Sequence, residues 1–281
     1  VLLSERTAGA GARVLRRALS PATRQSYERW LDGSVVRGLF ARVPLLVEGP
    51  SDRAVLDVFW REMVTTGQVR PAAQLGLDLV NCEGVCNMPM LAAVLDEAGK
   101  SVAALCDHDS DEAIREIQRM RAGHHCRVLI LHEADTSQNL ERALAWGSSI
   151  GALASAIDAI ATDRGYSWEE QRTDLMSRCD ELDPNVRATT RSSGSLRDLL
   201  SGIDEESARR LTARALGAKG VTPFEIKGGR QARLLAETLV SAQGVPDNFS
   251  RALKSLQVWI DAGGSEATEI SLTRAAPSPR S

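Results

Sequence analysis

Strand-length apolar runs separated by segments of helical spacing constrain this chain more than any other feature. Four runs come early: VPLLV at 43–47, LDLVNC at 77–82, VAALC at 102–106 and RVLILH at 127–132. A fifth, VTPFEI, lies at 221–226. They are mostly apolar on both faces, the pattern of strands in a sheet covered on both sides. Between the first four, apolar residues recur at helical spacing: Ala54, Leu56, Val58 and Phe59, then Leu91, Val94 and Leu95, then Ile114, Ile117 and Met120. Strand and helix alternate about every 25 residues, the length a crossover between parallel strands requires. The pattern predicts a doubly wound α/β core, with ligands at the carboxyl ends of its strands.

From Leu144 to Lys219 the strands stop and only helical patterns remain: ALASAIDAIATDRG, WEEQRTDLMSRCDEL and a longer helix over LRDLLSGIDEESARRLTARAL. RSSGS at 191–195 marks a turn, with Ser195 available as a cap. Two more amphipathic helices follow the fifth run, ARLLAETLVSAQG and FSRALKSLQVWIDAGG. The expected organisation is a helical segment at 1–40, a sheet core at 41–145, a helical insertion at 146–220, a return to the core at 221–262 and a poorly ordered tail at 263–281, rich in Gly, Ser, Ala and Pro.

At 281 residues, 43% hydrophobic, the chain can bury a large core without staples. No apolar run is long enough to span a bilayer, so a membrane role is not expected. Five scattered cysteines, Cys82, Cys86, Cys106, Cys126 and Cys179, suit reduced thiols in the cytoplasm rather than a disulfide framework. The net charge of −3 does not advertise a nucleic-acid binder, although metal ions on an acidic site can present positive charge to phosphate. The sequence opens at Val1 without an initiator methionine, which suggests a fragment of a larger protein.

Two acidic motifs close predicted strands and open predicted helices. One is Glu48-Gly49-Pro50-Ser51-Asp52, where glycine permits a sharp turn; the other is Asp107-His108-Asp109-Ser110-Asp111-Glu112. Either alone also suits helix capping and the helix dipole. Together they put many carboxylates at one sheet edge, where they would repel one another unless a cation were present. Hard divalent ions take oxygen ligands of this kind. His124, His125, Cys126 and Cys106 lack zinc-ligand spacing and read as core or loop residues.

The string LFARVPLLVEGPSDRAVLDVF, followed about sixty residues after its glutamate by a strand ending in Asp-x-Asp, resembles the TOPRIM domain of OLD (overcoming lysogenization defect) family nucleases. The likeness covers roughly 38–145 and 221–260. It implies a TOPRIM fold, a Rossmann-like, mostly parallel sheet flanked by helices with a helical insertion, and a metal-dependent DNA endonuclease working with two ions, Mg²⁺ or a substitute such as Mn²⁺ or Ca²⁺. By the same resemblance Glu48, Asp107 and Asp109 match the family acids, Asp52 and Asp111 fit further ligands, Glu141 in NLERAL matches a recurring Leu-Glu, and Lys227 matches a lysine needed for cleavage. One ion would activate water and the other stabilise the leaving 3′ oxygen. OLD proteins carry an ATPase domain ahead of this region, yet no GxxxxGK[ST] loop occurs in the sequence. DNA, that ATPase domain and a UvrD-like helicase are the partners the resemblance brings to mind.

Other readings fit less well. A type IA topoisomerase needs a nucleophilic tyrosine in a much larger body, and only Tyr27 and Tyr166 are present. A primase or RecR-like protein would show zinc cysteines, and a haloacid-dehalogenase-type phosphatase places its DxD on the first strand. The non-enzymatic alternative is a receiver-like or phosphate-binding signalling module, which also gathers acids and a lysine at a sheet edge.

Overall fold

The computed structural model describes residues 2–4, 11–13, 34–132, 139–178, 184–218, 220 and 222–272. β1 (Leu2–Ser4) and β2 (Gly11–Arg13) pair antiparallel in a small sheet of their own, and α1 spans Ser34–Phe40. The helical segment expected at 1–40 is therefore corrected at both strands. Gly11 weakens a helix there. Residues 14–33 lie outside the described ones.

The alternating region then runs β3 (Val43–Val47), α2 (Pro50–Thr65), α3 (Ala72–Leu75), β4 (Leu77–Asn81), α4 (Met88–Glu97), β5 (Ala103–Cys106), α5 (Asp111–Gly123) and β6 (Val128–Leu131). Helices follow: α6 (Leu140–Gly147), α7 (Ile150–Asp163), α8 (Trp168–Arg178), α9 (Pro184–Ser192), α10 (Leu196–Gly202), α11 (Glu205–Leu216), α12 (Gly229–Gln243) and α13 (Asp247–Asp261). β7 (Thr268–Ser271) completes the main sheet. Its order is β4-β3-β5-β6-β7, every pair parallel.

Alternation along each strand divides the core in two. Val43, Leu45 and Val47, Ala103 and Leu105, Val128 and Ile130 pack with α2 and the later helices. Leu46, Ala104, Cys106, Leu129 and Leu131 pack on the other face with α4 and α5. Each fully buried Leu or Val contributes roughly 1.5–3 kcal/mol, which is why strands apolar on both faces end up covered on both. No described helix is long and apolar enough to cross a membrane.

Two expectations are corrected. The run at 221–226 forms no strand over its described residues: Pro223 has no N–H for a ladder, and the carbonyls of Thr222 and Glu225 accept from the Arg164 guanidinium instead, the latter at 2.7 Å. The fifth strand of the sheet is β7, inside the stretch expected to be poorly ordered. Only Ile270 of its four residues is buried, so it carries almost no apolar signal, and the Arg121 guanidinium on α5 pins Glu269 at 2.6 and 3.0 Å. The longer helix expected at 196–216 is two helices, because Asp204 accepts from Ser207 N at 2.9 Å and starts α11 afresh. Ser195 caps α10 through Asp198 N at 3.1 Å, as its position suggests.

Candidate functional site

The chain passes from β3 to β4 on one side and then crosses to β5 on the other, so the topological switch falls between β3 and β5. Crevices at the carboxyl ends of strands at such a point are where open α/β sheets bind ligands. Glu48 leaves β3 and Asp107 leaves β5 at this crevice. They touch directly: Asp107 N donates to Glu48 Oε1 at 3.1 Å.

Asp52 reaches the same place because α2 starts at once. Pro50 occupies the first turn, where its missing N–H is no loss, and Asp52 Oδ2 accepts from Gly49 N at 3.0 Å. The Asp52 side chain is buried. Asp107 Oδ1 accepts from Leu140 N, the start of α6, at 3.1 Å, and this brings Glu141 in from the far side of a loop. Asn139 caps α6 through Arg142 N at 3.0 Å and lies 3.4 Å from Asp109 Oδ2.

Four of these acids disfavour their own ionisation. Burial first, then the charge of Asp52, pushes Glu48 up to about 7, against the lowering effect of its bond from Asp107 N. Asp52 is also raised to about 7, by burial before all and then by Glu141. Asp107 stands well above the ordinary carboxylate range through burial and the charges of Asp52, Glu48, Glu141 and Asp109. Glu141 is raised by burial and Asp109, and Lys227 pulls it back down. A set of hard oxygen donors, sheltered from water and mutually repelling, fits a divalent cation by its chemistry. Its placement is less direct. Among the described residues no three His, Cys, Asp or Glu side chains are arranged to hold one ion together, and Asp52, Glu48 and Asp107 are each turned to a backbone donor.

Glu48, Asp52, Asp107, Asp109, Glu141 and Lys227 thus share one electrostatic neighbourhood. Asp111 lies exposed in the first turn of α5 beyond the Ser110 cap, where it complements the helix dipole. Lys227 is exposed, and Gly228 behind it takes φ +111°, a backbone conformation natural to glycine, before α12 begins.

Two neighbours were not foreseen in the sequence. His132, fully buried, places Nε2 3.4 Å from Asp107 Oδ1, and burial lowers its pKa to about 3, so it stands neutral beside the acids. Its place at the carboxyl end of β6, next to the strand of Asp107, was the available signal. Ser51 Oγ donates to Ile226 O at 2.8 Å and accepts from Gly228 N at 3.3 Å. His125 Nδ1 lies on Asp96 at 3.1 Å and Cys126 is buried, the core and loop roles expected of them.

The parallel sheet, its flanking helices and the acids at its switch point define a doubly wound α/β protein with an acidic crevice at the carboxyl ends of its strands. Residues 39–109 match the family model of the overcoming lysogenization defect protein-like TOPRIM domain, so the resemblance read from the sequence is borne out over the segment that carries Glu48, Asp52, Asp107 and Asp109. No curated protein matches the chain. Solved structures similar to it include the C-terminal region of the Burkholderia pseudomallei OLD protein, at 17% identity and a TM-score of 0.43, covering 79% of this chain and 98% of that one. The C-terminal region of the Xanthomonas campestris pv. campestris OLD protein, phased with mercury, follows at 18% identity and a TM-score of 0.39, covering 80% and 98%.

Proposed function

We propose that this chain hydrolyses phosphodiester bonds of DNA with the help of divalent metal ions, as a nuclease region of OLD type. The observation that carries the reading is the meeting of Glu48, Asp52, Asp107 and Glu141 at the β3–β5 switch point, Asp52 buried and the other three half-buried, each resisting ionisation. Carboxylates left in that state destabilise the fold; a cation among them would offset the repulsion.

Glu48, Asp52, Asp107, Asp109 and Glu141 are the residues that would hold two ions. When bound, the ions would supply positive charge to the phosphate and favour deprotonation of the attacking water. The chain's own groups orient this chemistry. Asp107 N and Leu140 N fix the carboxylates of Glu48 and Asp107, and buried, neutral His132 closes the wall behind Asp107 without adding charge. Lys227, whose charge acts on Glu141, would balance charge that develops on the phosphate or the leaving oxygen. An ATPase domain in the whole protein and DNA as substrate are carried over from the resemblance; no feature of the described residues speaks for a UvrD-like helicase.

The test is cleavage of supercoiled and linear DNA with Mg²⁺, Mn²⁺, Ca²⁺ or EDTA, beside a Glu48→Ala, Asp107→Ala double variant. Metal-dependent nicking lost in the variant supports the reading. A folded protein that cuts under no metal, yet is labelled on Asp107 by a phosphate donor, would replace it with the receiver-like module.

A further inference from the structure

We infer that the groove flanking the acidic turn seats a single strand of DNA by its phosphodiester backbone. The choice of polyanion rests on the nuclease reading above; the groove itself rests on separate residues. It has a volume of about 1140 Å³ and runs between α2 and α12 along the β4 edge of the sheet. Arg37, Arg53, Arg61, Arg230 and Arg233 line it, against only Asp57 and Asp78. Five guanidinium groups therefore gather in one groove of a chain whose net charge is −3.

The local pairing leaves much of that charge unspent. Asp57 is shared by Arg61 at 3.4 Å and Arg233 at 3.2 Å, and Arg230 pairs with Asp163 at 2.6 Å. Arg37 and Arg53 make no ion pair among the described residues. Exposed pairs such as these hold together by no more than about 1 kcal/mol, so phosphate can compete for their arginines.

Position ties the groove to the acids. Arg53 directly follows Asp52, and Gly229 follows the Lys227-Gly228 turn; the two walls approach so closely there that a Cβ on Gly229 would lie 3.6 Å from Pro50 O. Arg53 and Arg61 stand eight residues apart on one face of α2. At 1.5 Å per residue they are roughly 12 Å apart along the helix, far enough to meet different phosphates of one strand. A volume of about 1140 Å³ takes a few nucleotides of one strand, whereas a duplex segment of the same length has twice as many to place. Trp60 also lines the groove, but it is buried with its indole N–H on Arg70 O at 3.1 Å, so it offers no free ring to a base. The groove reads phosphate without sequence preference.

Fluorescence anisotropy of a labelled oligothymidine and of a duplex of equal length, titrated with the full chain in EDTA across a range of salt, tests this. Arg37→Gln with Arg53→Gln should weaken the single strand about tenfold and flatten the slope of log K against log salt by about 1.4, at 0.7 per phosphate contact. The paired Lys replacements should keep most of the slope, and Arg115→Gln with Arg119→Gln, on α5 across the sheet, should change neither quantity. An unchanged slope in the groove variant, an equal loss in the α5 variant, or tighter binding of duplex than of single strand overturns the inference. Cleavage absent under every metal while the groove variant still loses strand binding overturns the nuclease reading alone; cleavage intact with an unchanged slope overturns the groove alone.

Discussion

Ser51 Oγ donates a hydrogen bond to the Ile226 carbonyl over 2.8 Å, joining positions 175 residues apart. The same oxygen accepts from Gly228 N at 3.3 Å, so one hydroxyl grips the backbone on both sides of Lys227. The acidic turn after β3 and the turn that carries the lysine are thereby held as one unit. Ser51→Ala should slow nicking of supercoiled DNA about tenfold to a hundredfold, the scale of a misplaced catalytic group, while the melting temperature moves by only the worth of one or two hydrogen bonds, about 1 kcal/mol each. Ser51→Thr, which keeps the hydroxyl, should recover most of the rate. Wild-type rates in the alanine variant would remove Ser51 from the site.

Lys227→Ala should slow cutting by about 10²–10³ and leave metal binding in place, because on the proposed reading the lysine meets charge that develops in the reaction rather than the ions. Calorimetric titration with Mn²⁺ beside the nicking assay separates the two. Retained cutting would rule out this role.

Gly228 holds φ +111° and ψ 140°, a region open to glycine and strained for any other residue. No atom lies within 4 Å of a Cβ built there, so a substitution meets backbone strain and not a clash. Gly228→Ala should destabilise the chain by about 1–3 kcal/mol and reduce cleavage more than the lost stability explains, because the strain falls on the Lys227 turn. Thermal melts and cleavage rates measured on the same preparations decide it. A variant as stable and as active as the parent would contradict the account.

In EDTA the chain should lose stability as pH rises. Glu48 and Asp52, with ordinary values of 4.5 and 3.8, are raised to about 7 in the fold, first by burial and then by neighbouring carboxylates. A carboxyl raised on folding contributes stability that is complete below its unfolded value and disappears as pH passes its folded one. The loss therefore falls between about pH 4 and pH 7, and at about 1.4 kcal/mol per pH unit each of the two groups, taken alone, costs on the order of 4 kcal/mol. Melts at pH 5 and pH 8 should differ by several degrees, and Mg²⁺ added at pH 8 should restore the difference. A melting temperature that is flat or rises over this interval would count against the buried acidic cluster.

The sequence alone determined the core of the fold. Strands apolar on both faces, spaced by helices of one crossover length, have few packings other than a doubly wound parallel sheet, and the acids placed after VPLLV and VAALC had to emerge at its carboxyl edge. Periodicity could not reveal β7, because an edge strand with one buried residue, Ile270, looks like a polar tail until β6 supplies its partner. Nor could it tell that 222–226 would spend its carbonyls on Arg164 and Ser51 instead of a ladder. The meeting of Asp52, Glu141 and Lys227 with the strand-end acids and the grip of Ser51 on the lysine turn were decided only by tertiary structure. These relationships join residues tens to hundreds of positions apart, and local sequence encodes the bonding capacity of each group but not which distant group will be folded against it.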